Sequence, residues 1–562
     1  MSSDPTSSSP SSDIDAERGE SAYKQKESTP EKAGLNTSAG SLLEKGLARD
    51  ASAINGEQDA AAAEDPYLVS HLAFGLRNIS HLSYSSVLVT PVRFQLLTSL
   101  QVTWDGPDDS TNPFNWPLWL KWAVTLLTSL GGMVTMMSST MIAPALPQLS
   151  EDLSIDDATA QMTLSIFVLS YAVGPMVLAP MTEVFGRKPV WLLSGCFYIL
   201  WNTVCGFAKN NQLLIASRFF AGLGGSVQYT IENPVLADCW RLEQRGYSFA
   251  ISTFLPLFGP AIGPILGGVL TGTIGWRWIF WVLSIFDALL MLSAFIIFPE
   301  TFAGVILGRK AKRLRKETGR QEYYTEYERE GKSLTRILIV SLGRPCRLLA
   351  TQPLIQLMSI YLAYNYGILY IVQSTFATLW IERYNQSVSV SGLHYIAIAV
   401  GCIIAAQGGA RVTDRVWKHL KERAGGETQP EYRVPLMFPG AAIIPIGLFW
   451  YGWAAQAQAF WILPDIGIAI FSCGIIIGTQ AMQAYVMDSF PKHVASASAA
   501  SQLLRNITAF TFPLFAPKMY DSLGYGWGNS LLAFVSIALG VPGPIILWKY
   551  GAKLRAKGKP QW

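Results

Sequence analysis

Stretches of roughly 20 mostly apolar residues, long enough to cross a hydrocarbon layer of about 30 Å, recur along this chain between short polar connections. Twelve are expected, at about 120–141, 160–181, 190–208, 212–234, 248–271, 278–298, 353–376, 391–410, 434–454, 461–484, 497–517 and 528–548. A long polar gap at about 301–350 sets six on each side, and an even number puts both termini on the same side. The pattern predicts an all-α polytopic membrane protein with twelve transmembrane helices. Residues 1–68 are rich in Ser, Ala, Glu and Asp and almost free of aromatics. They read as a disordered tail that cannot bury enough apolar surface to fold, with no secretory signal peptide.

The fifth apolar stretch contains Gly259-Pro260-Ala261-Ile262-Gly263-Pro264-Ile265-Leu266-Gly267-Gly268. In water such a string disfavours helix, because Pro removes a backbone donor and Gly adds disorder. In lipid, helix is nearly the sole way to satisfy the backbone. The expected result is a bent, narrow helix that packs backbone against backbone at the contact between the two halves.

Composition agrees: 50% of residues are hydrophobic and only 15% are charged, against about 25% charged in a soluble domain. A net charge of +4 gives no reason to expect a nucleic-acid partner. The placement of charge says more. Arg309, Lys310, Lys312, Arg313, Arg315 and Lys316 fill the central gap, and Lys549, Lys553, Arg555, Lys557 and Lys559 follow the last stretch. The connection after the first stretch carries Glu151, Asp152, Asp156 and Asp157 and no base. The positive-inside rule then puts both termini and the central loop in the cytosol. Trp116, Trp119, Trp122, Trp276, Trp278, Trp281 and Trp527 near stretch ends fit interfacial belts. The six cysteines are scattered as small apolar fillers, so no metal site or cofactor is expected.

Four charged motifs stand out. Between stretches two and three lies Ala179-Pro-Met-Thr-Glu183-Val-Phe-Gly186-Arg187-Lys188-Pro189, a tight turn presenting an acid and two bases at helix ends. It reads either as a latch between the two halves or as an ordinary positive-inside loop. Asp414-Arg415 looks like its degenerate copy in the second half. In the fourth stretch, Arg218 precedes Gly222, Gly224 and Gly225. It faces a cavity or partner, or else snorkels at the outer interface. Glu232 and Asp287 are carboxylates placed within apolar stretches, each either a proton site or a satisfied packing group.

These strings resemble the major facilitator superfamily, and the Gly/Pro string is similar to the antiporter motif of its fungal twelve-span drug:proton antiporters. So are Trp104-Asp105-Gly106-Pro107-Asp108-Asp109, Asn112-Pro113-Phe114-Asn115-Trp116, Trp276-Arg277-Trp278, Pro299-Glu300-Thr301 and Pro430-Glu431-Tyr432-Arg433-Val434-Pro435. The likeness runs from about Val102 onward. It departs at Ala179 and Val184, where Gly and Arg are usual, and at Glu183, where Asp is commoner. It implies two pseudo-symmetric six-helix bundles, at 120–298 and 353–548, around a central cavity that opens alternately to either side. A pre-span segment at 102–119, a cytosolic loop at 299–352 and a cytosolic tail at 549–562 complete the division.

The function this implies is proton-coupled export of hydrophobic or amphipathic small molecules, such as drugs, toxins or fungal secondary metabolites. The exporter would be a monomer in the plasma membrane, its partners being substrate, protons and lipid. A nutrient or polyamine porter is the alternative. No phosphate-binding Gly-x-x-x-x-Gly-Lys-Ser/Thr string occurs, so ATP is not the expected energy source, and no catalytic constellation points to an enzyme. Glu232 is the first candidate proton carrier, Asp287 the second, with Arg218 as an associated cation. For the substrate cavity, Tyr364, Asn365, Tyr366, Tyr370 and Gln373 of stretch seven and Gln480 of stretch ten offer rings and amides; an interfacial aromatic belt would use the same tyrosines. Asp488 and Arg505 read as a gate pair, and Asn385-Gln386-Ser387 as a glycosylation sequon on the outer side.

Residues 69–101 fit neither tail nor span. Removing them joins Leu68 to Val102 and restores the pre-span string, and the piece is 33 residues long, a whole number of codons. A retained intron is the expected explanation; an amphipathic surface helix is the alternative.

Overall fold

The computed structural model describes residues 100–327, 334–425, 429–490 and 494–557. The expected tail and all of the 69–101 segment except Leu100 and Gln101 lie outside the described residues, as does the side chain of Asp414. In chain order the longer helices are α1 Leu118–Thr140, α2 Leu146–Leu153, α3 Asp157–Phe185, α4 Arg187–Gly206, α5 Asn211–Gly225, α6 Val227–Cys239, α7 Leu242–Thr273, α8 Arg277–Ile297, α9 Ala303–Thr318, α10 Leu334–Thr351, α11 Pro353–Thr378, α12 Val388–Leu393, α13 Ile396–Arg423, α14 Met437–Gln456, α15 Ile462–Ser489, α16 Val494–Gly540 and α17 Pro542–Lys557. An isolated bridge between Gln101 and Tyr324 is the extended pairing seen among the described residues.

Ten stretches among the described residues are long and apolar enough to cross a membrane. Two differences separate this from the twelve distinct spans expected. The fourth position holds two short helices, α5 and α6, which meet at Ser226 and carry Arg218 and Glu232. The eleventh and twelfth positions form one run, 496–557, turned at Gly524, whose φ of 69° is open to glycine. Apolar side chains such as Leu193 and Ile296, 71% and 72% exposed, cover the outside of the helices, as a lipid-facing surface requires.

Helix α7 runs unbroken through Pro256, Pro260 and Pro264. Its glycines work in two directions. A Cβ at Gly259, Gly263 or Gly267 would press into Met136, into Thr140 and Met137, or into the Met141 carbonyl, all of them at or just beyond the end of α1. A Cβ at Gly268 would lie 2.6 Å from the Val388 carbonyl oxygen of α12, in the second half, and one at Gly272 would meet Ser389. Ser389 Oγ also donates to the Gly268 carbonyl at 3.2 Å. Among these glycines, those that meet the second half lie at one end of α7, and the others seat it on α1. The halves meet again where α3 packs on α16.

The pre-span segment is tied down by its own polar side chains. Asp109 accepts from the Asp105 N–H at 2.9 Å and the Thr111 N–H at 2.8 Å, and these donors hold its carboxyl below the usual range. Lys310 of α9 reaches Asp105 at 2.6 Å and the Thr103 carbonyl at 2.8 Å. The Trp-Asp-Gly-Pro string thus docks onto the basic central loop.

Candidate functional site

A cavity of about 180 Å³ lies between the halves. The first half contributes Tyr171, Tyr229 and Pro260, from α3, α6 and α7; the second contributes residues of α11, α13, α15 and α16. Among the expected residues, Tyr366, Tyr370 and Gln373 line it. They sit at i, i+4 and i+7, one face of α11. Gln373 is 4% exposed and its amide oxygen has no protein partner; nor has the buried hydroxyl of Ser472, which also lines the space.

The other three do not line this cavity. Tyr364 is two residues from Tyr366, about 200° round a helix, and its hydroxyl donates to the Leu532 carbonyl of α16. Asn365 is buried and its amide nitrogen has no partner. Gln480 is exposed and does not line this cavity.

The three proton-coupling candidates are not brought together. Ser252 Oγ of α7 donates to Glu232 at 2.7 Å. The other carboxylate oxygen faces Gly132 of α1, where Pro256, a cavity residue, also packs. Glu232 therefore stands one layer behind the cavity wall. Asp287 of α8 is 4% exposed and borders a separate small void with Tyr198 and Gln228. Arg218 is entirely buried, which overturns the interfacial snorkelling alternative. Its guanidinium donates to the carbonyls of Thr163 at 3.0 Å and Ser138 at 3.1 Å and lies 4.3 Å from the Phe167 ring centre. It makes no ion pair with Glu232 or Asp287. Geometrically it ties α5 to α1 and α3.

At the end of the bundle carrying the Gly-Arg-Lys turn, Gly186 has φ 101°, and a Cβ there would overlap the Glu300 carboxylate. That carboxylate accepts from the backbone N–H groups of Arg187 (2.8 Å), Lys188 (3.3 Å), Thr301 (3.1 Å) and Phe302 (3.0 Å). An acid at the start of α4 meets both the unpaired donors and the positive end of the helix dipole. Arg187 pairs with Asp238 of α6 at 3.4 Å and donates to Thr182 at 2.6 Å. The Lys188 ammonium donates to the Phe295 carbonyl at 2.9 Å. Glu183, the expected acid of the turn, is exposed. The contacts of Arg187 and Glu300 lie within the first half, so the latch between halves is not what they form.

The second half repeats the device. Arg433 pairs with Asp488 at 2.9 Å, as Arg187 does with Asp238. Glu431 pairs with Arg555 at 2.8 Å. Asp488 thus has a partner other than the expected Arg505, and Arg415 is exposed. Asn385 is exposed with φ 50°, and the Ser387 hydroxyl of its sequon caps α12. Glu300, Asp238 and Arg433 were not identified as site residues from sequence, and Arg505, expected as half of a gate pair, instead lines the cavity. The sole hint was the Pro-Glu-Thr and Pro-Glu-Tyr-Arg strings at matching places in the two halves.

Helical halves enclosing a small cavity, each braced by acid–base clusters at one end, define a polytopic membrane carrier for small molecules. The family model of the Major Facilitator Superfamily matches residues 128–513, and the chain belongs to that family: it is a multi-pass transporter and not an enzyme. It is 41% identical over 459 residues to the efflux pump vrtL of Penicillium aethiopicum, covering 82% of this chain and 91% of that one. It is 43% identical over 419 residues to the probable efflux pump mfs2 of Aspergillus flavus, covering 74% and 99%. The D-xylose–proton symporter structure is similar in fold, with a TM-score of 0.57 at 15% identity over 76% of this chain and 97% of that one.

Proposed function

We propose that this transporter is a proton-coupled exporter of hydrophobic and amphipathic small molecules, including secondary metabolites, working by alternating access from the plasma membrane as a monomer with both termini in the cytosol. The observation that carries this reading is the central cavity, walled by Tyr171, Tyr229, Tyr366 and Tyr370 and bordered by residues of both halves. Aromatic walls with a few free polar atoms suit bulky organic cargo. The efflux names of the fungal relatives support the outward direction. A polyamine porter needs acids to meet its cargo, and no Asp or Glu lines this cavity among the described residues.

Glu232 is the proton carrier in this scheme. Its hydrogen bond from Ser252 ties its charge state to α7, the helix that contacts both α1 and α12. Asp287 is the second choice. The bundles at 120–298 and 353–548 rock as units, each stiffened by its own ion pair, Arg187–Asp238 or Arg433–Asp488. Accumulation of an aromatic probe in inside-out vesicles tests the scheme. It should require an acid interior, be weakened by Tyr370→Ala, and lose its pH dependence in Glu232→Gln. Uphill transport by Glu232→Gln with unchanged pH dependence would remove Glu232 from the mechanism.

A further inference from the structure

Arg505 of α16 sets the cavity apart from an apolar pocket. The side chain is buried, with the residue 7% exposed, and it lines the cavity. Its Nε donates to the adjacent Asn506 Oδ1 at 3.2 Å, and its guanidinium carbon lies 4.3 Å from the Tyr366 ring centre. It forms no ion pair with a described carboxylate. Other buried or half-buried arginines here are neutralised or saturated: Arg187 by Asp238, Arg555 by Glu431, and Arg218 by two carbonyls and a Phe ring.

A buried cation without a counter-charge is costly unless something compensates it. The cavity walls hold no acid to do so. They do hold the partnerless Ser472 hydroxyl and the Gln373 amide, beside the rings of Tyr229, Tyr366 and Tyr370. A guanidinium is suited to bidentate recognition of a carboxylate, and the hydroxyl can add a donor. The apolar remainder fits an aromatic or alicyclic skeleton better than a hydrated inorganic ion.

We propose that the cargo is an amphipathic organic anion, an aromatic or polycyclic acid whose carboxylate or acidic enolate supplies the counter-charge to Arg505. This rests on the reading of the cavity as the transport site. Equilibrium dialysis of the full chain in nanodiscs, corrected against empty nanodiscs, tests it with two probes of the same skeleton: 2-naphthylacetate and neutral 2-naphthylethanol. A charge-assisted contact predicts that wild type binds the acid about 10-fold more tightly than the alcohol. Arg505→Gln should bring the ratio close to one, and Arg505→Lys should restore part of it.

Equal binding of the two probes by wild type, or an undiminished ratio in Arg505→Gln, overturns the proposal. Chloride that erases the acid's advantage also overturns it, in favour of an inorganic anion. Tyr370→Ala separates this failure from that of the site itself. If it weakens both probes while the acid has no advantage, the cavity stands and the anion falls. If wild type binds neither probe, or Tyr370→Ala changes neither affinity, the cavity reading falls and takes the proposal with it.

Discussion

Adding one methyl group at Gly268 should shift the carrier between its two conformations without disturbing either bundle. The new Cβ would lie 2.6 Å from the Val388 carbonyl oxygen and 3.5 Å from the Gly392 Cα. Ordinary carbon–oxygen contact is about 3.3–3.6 Å, so α7 and α12 must separate by roughly 1 Å. Overpacking of this size costs about 1–3 kcal/mol. The cost exists solely when this end is closed, because α7 stays helical in both states and the Gly-to-Ala propensity difference cancels. The open form at this end therefore gains by about 5- to 150-fold. Thr378→Cys provides the readout, since Thr378 lines a chamber of about 370 Å³ bordered by both halves. In a background without the native cysteines, Gly268→Ala should speed its alkylation by an impermeant maleimide at least about fivefold. An unchanged rate, with unchanged transport, would refute the view that this contact closes the gate. Gly267→Ala serves as the contrast: its methyl would collide with the Met141 carbonyl inside the first half, so it should lower thermal stability without favouring either state.

Three further outcomes follow from the basic end of the bundles. Glu300→Ala strips four backbone donors of a buried acceptor and should cost about 2–3 kcal/mol, read as a fall in Tm in detergent. Gly186→Ala should destabilise as well, since it forces a methyl group into φ 101° beside that carboxylate. A double-mutant cycle on Arg433 and Asp488, whose side chains are 22% and 38% exposed, should give a coupling below about 1 kcal/mol. The same cycle on Arg187 and Asp238, 8% and 20% exposed, should give a larger one, and the reverse order would contradict the burial argument.

Much of this architecture was legible in the chain because lipid enforces a simple code. A span is long and apolar, and nine of the expected stretches each coincide with one separate membrane-long segment. The fourth differs because it is divided at Ser226 into two short helices, α5 and α6. Packing compensates, since Gly222 and Gly224 let α5 approach α3 and α4 closely. Within α11, helical phase sorted Tyr366, Tyr370 and Gln373 from Tyr364, and that could have been read from spacing alone. Gln480 could not, because nothing in a lone span says which face meets the cavity. Pairings across helices were the least legible. Asp488 is near Arg505 along the chain but pairs with Arg433 across the bundle, and Glu300 finds two of its four donors more than a hundred residues away. The repeat of the Arg187–Asp238 pair as Arg433–Asp488 was open to a reader who aligned the two halves.

The central claim is proton-driven export, and inside-out vesicles test it most directly. The neutral probe 2-naphthylethanol should be used, because pH trapping cannot concentrate it. Wild type should accumulate the probe above its external level when the lumen is acidic and lose it when the gradient is collapsed, while Glu232→Gln should bind the probe yet fail to concentrate it. Accumulation that persists without a proton gradient, or a Glu232→Gln protein that pumps as well as wild type, would contradict the account.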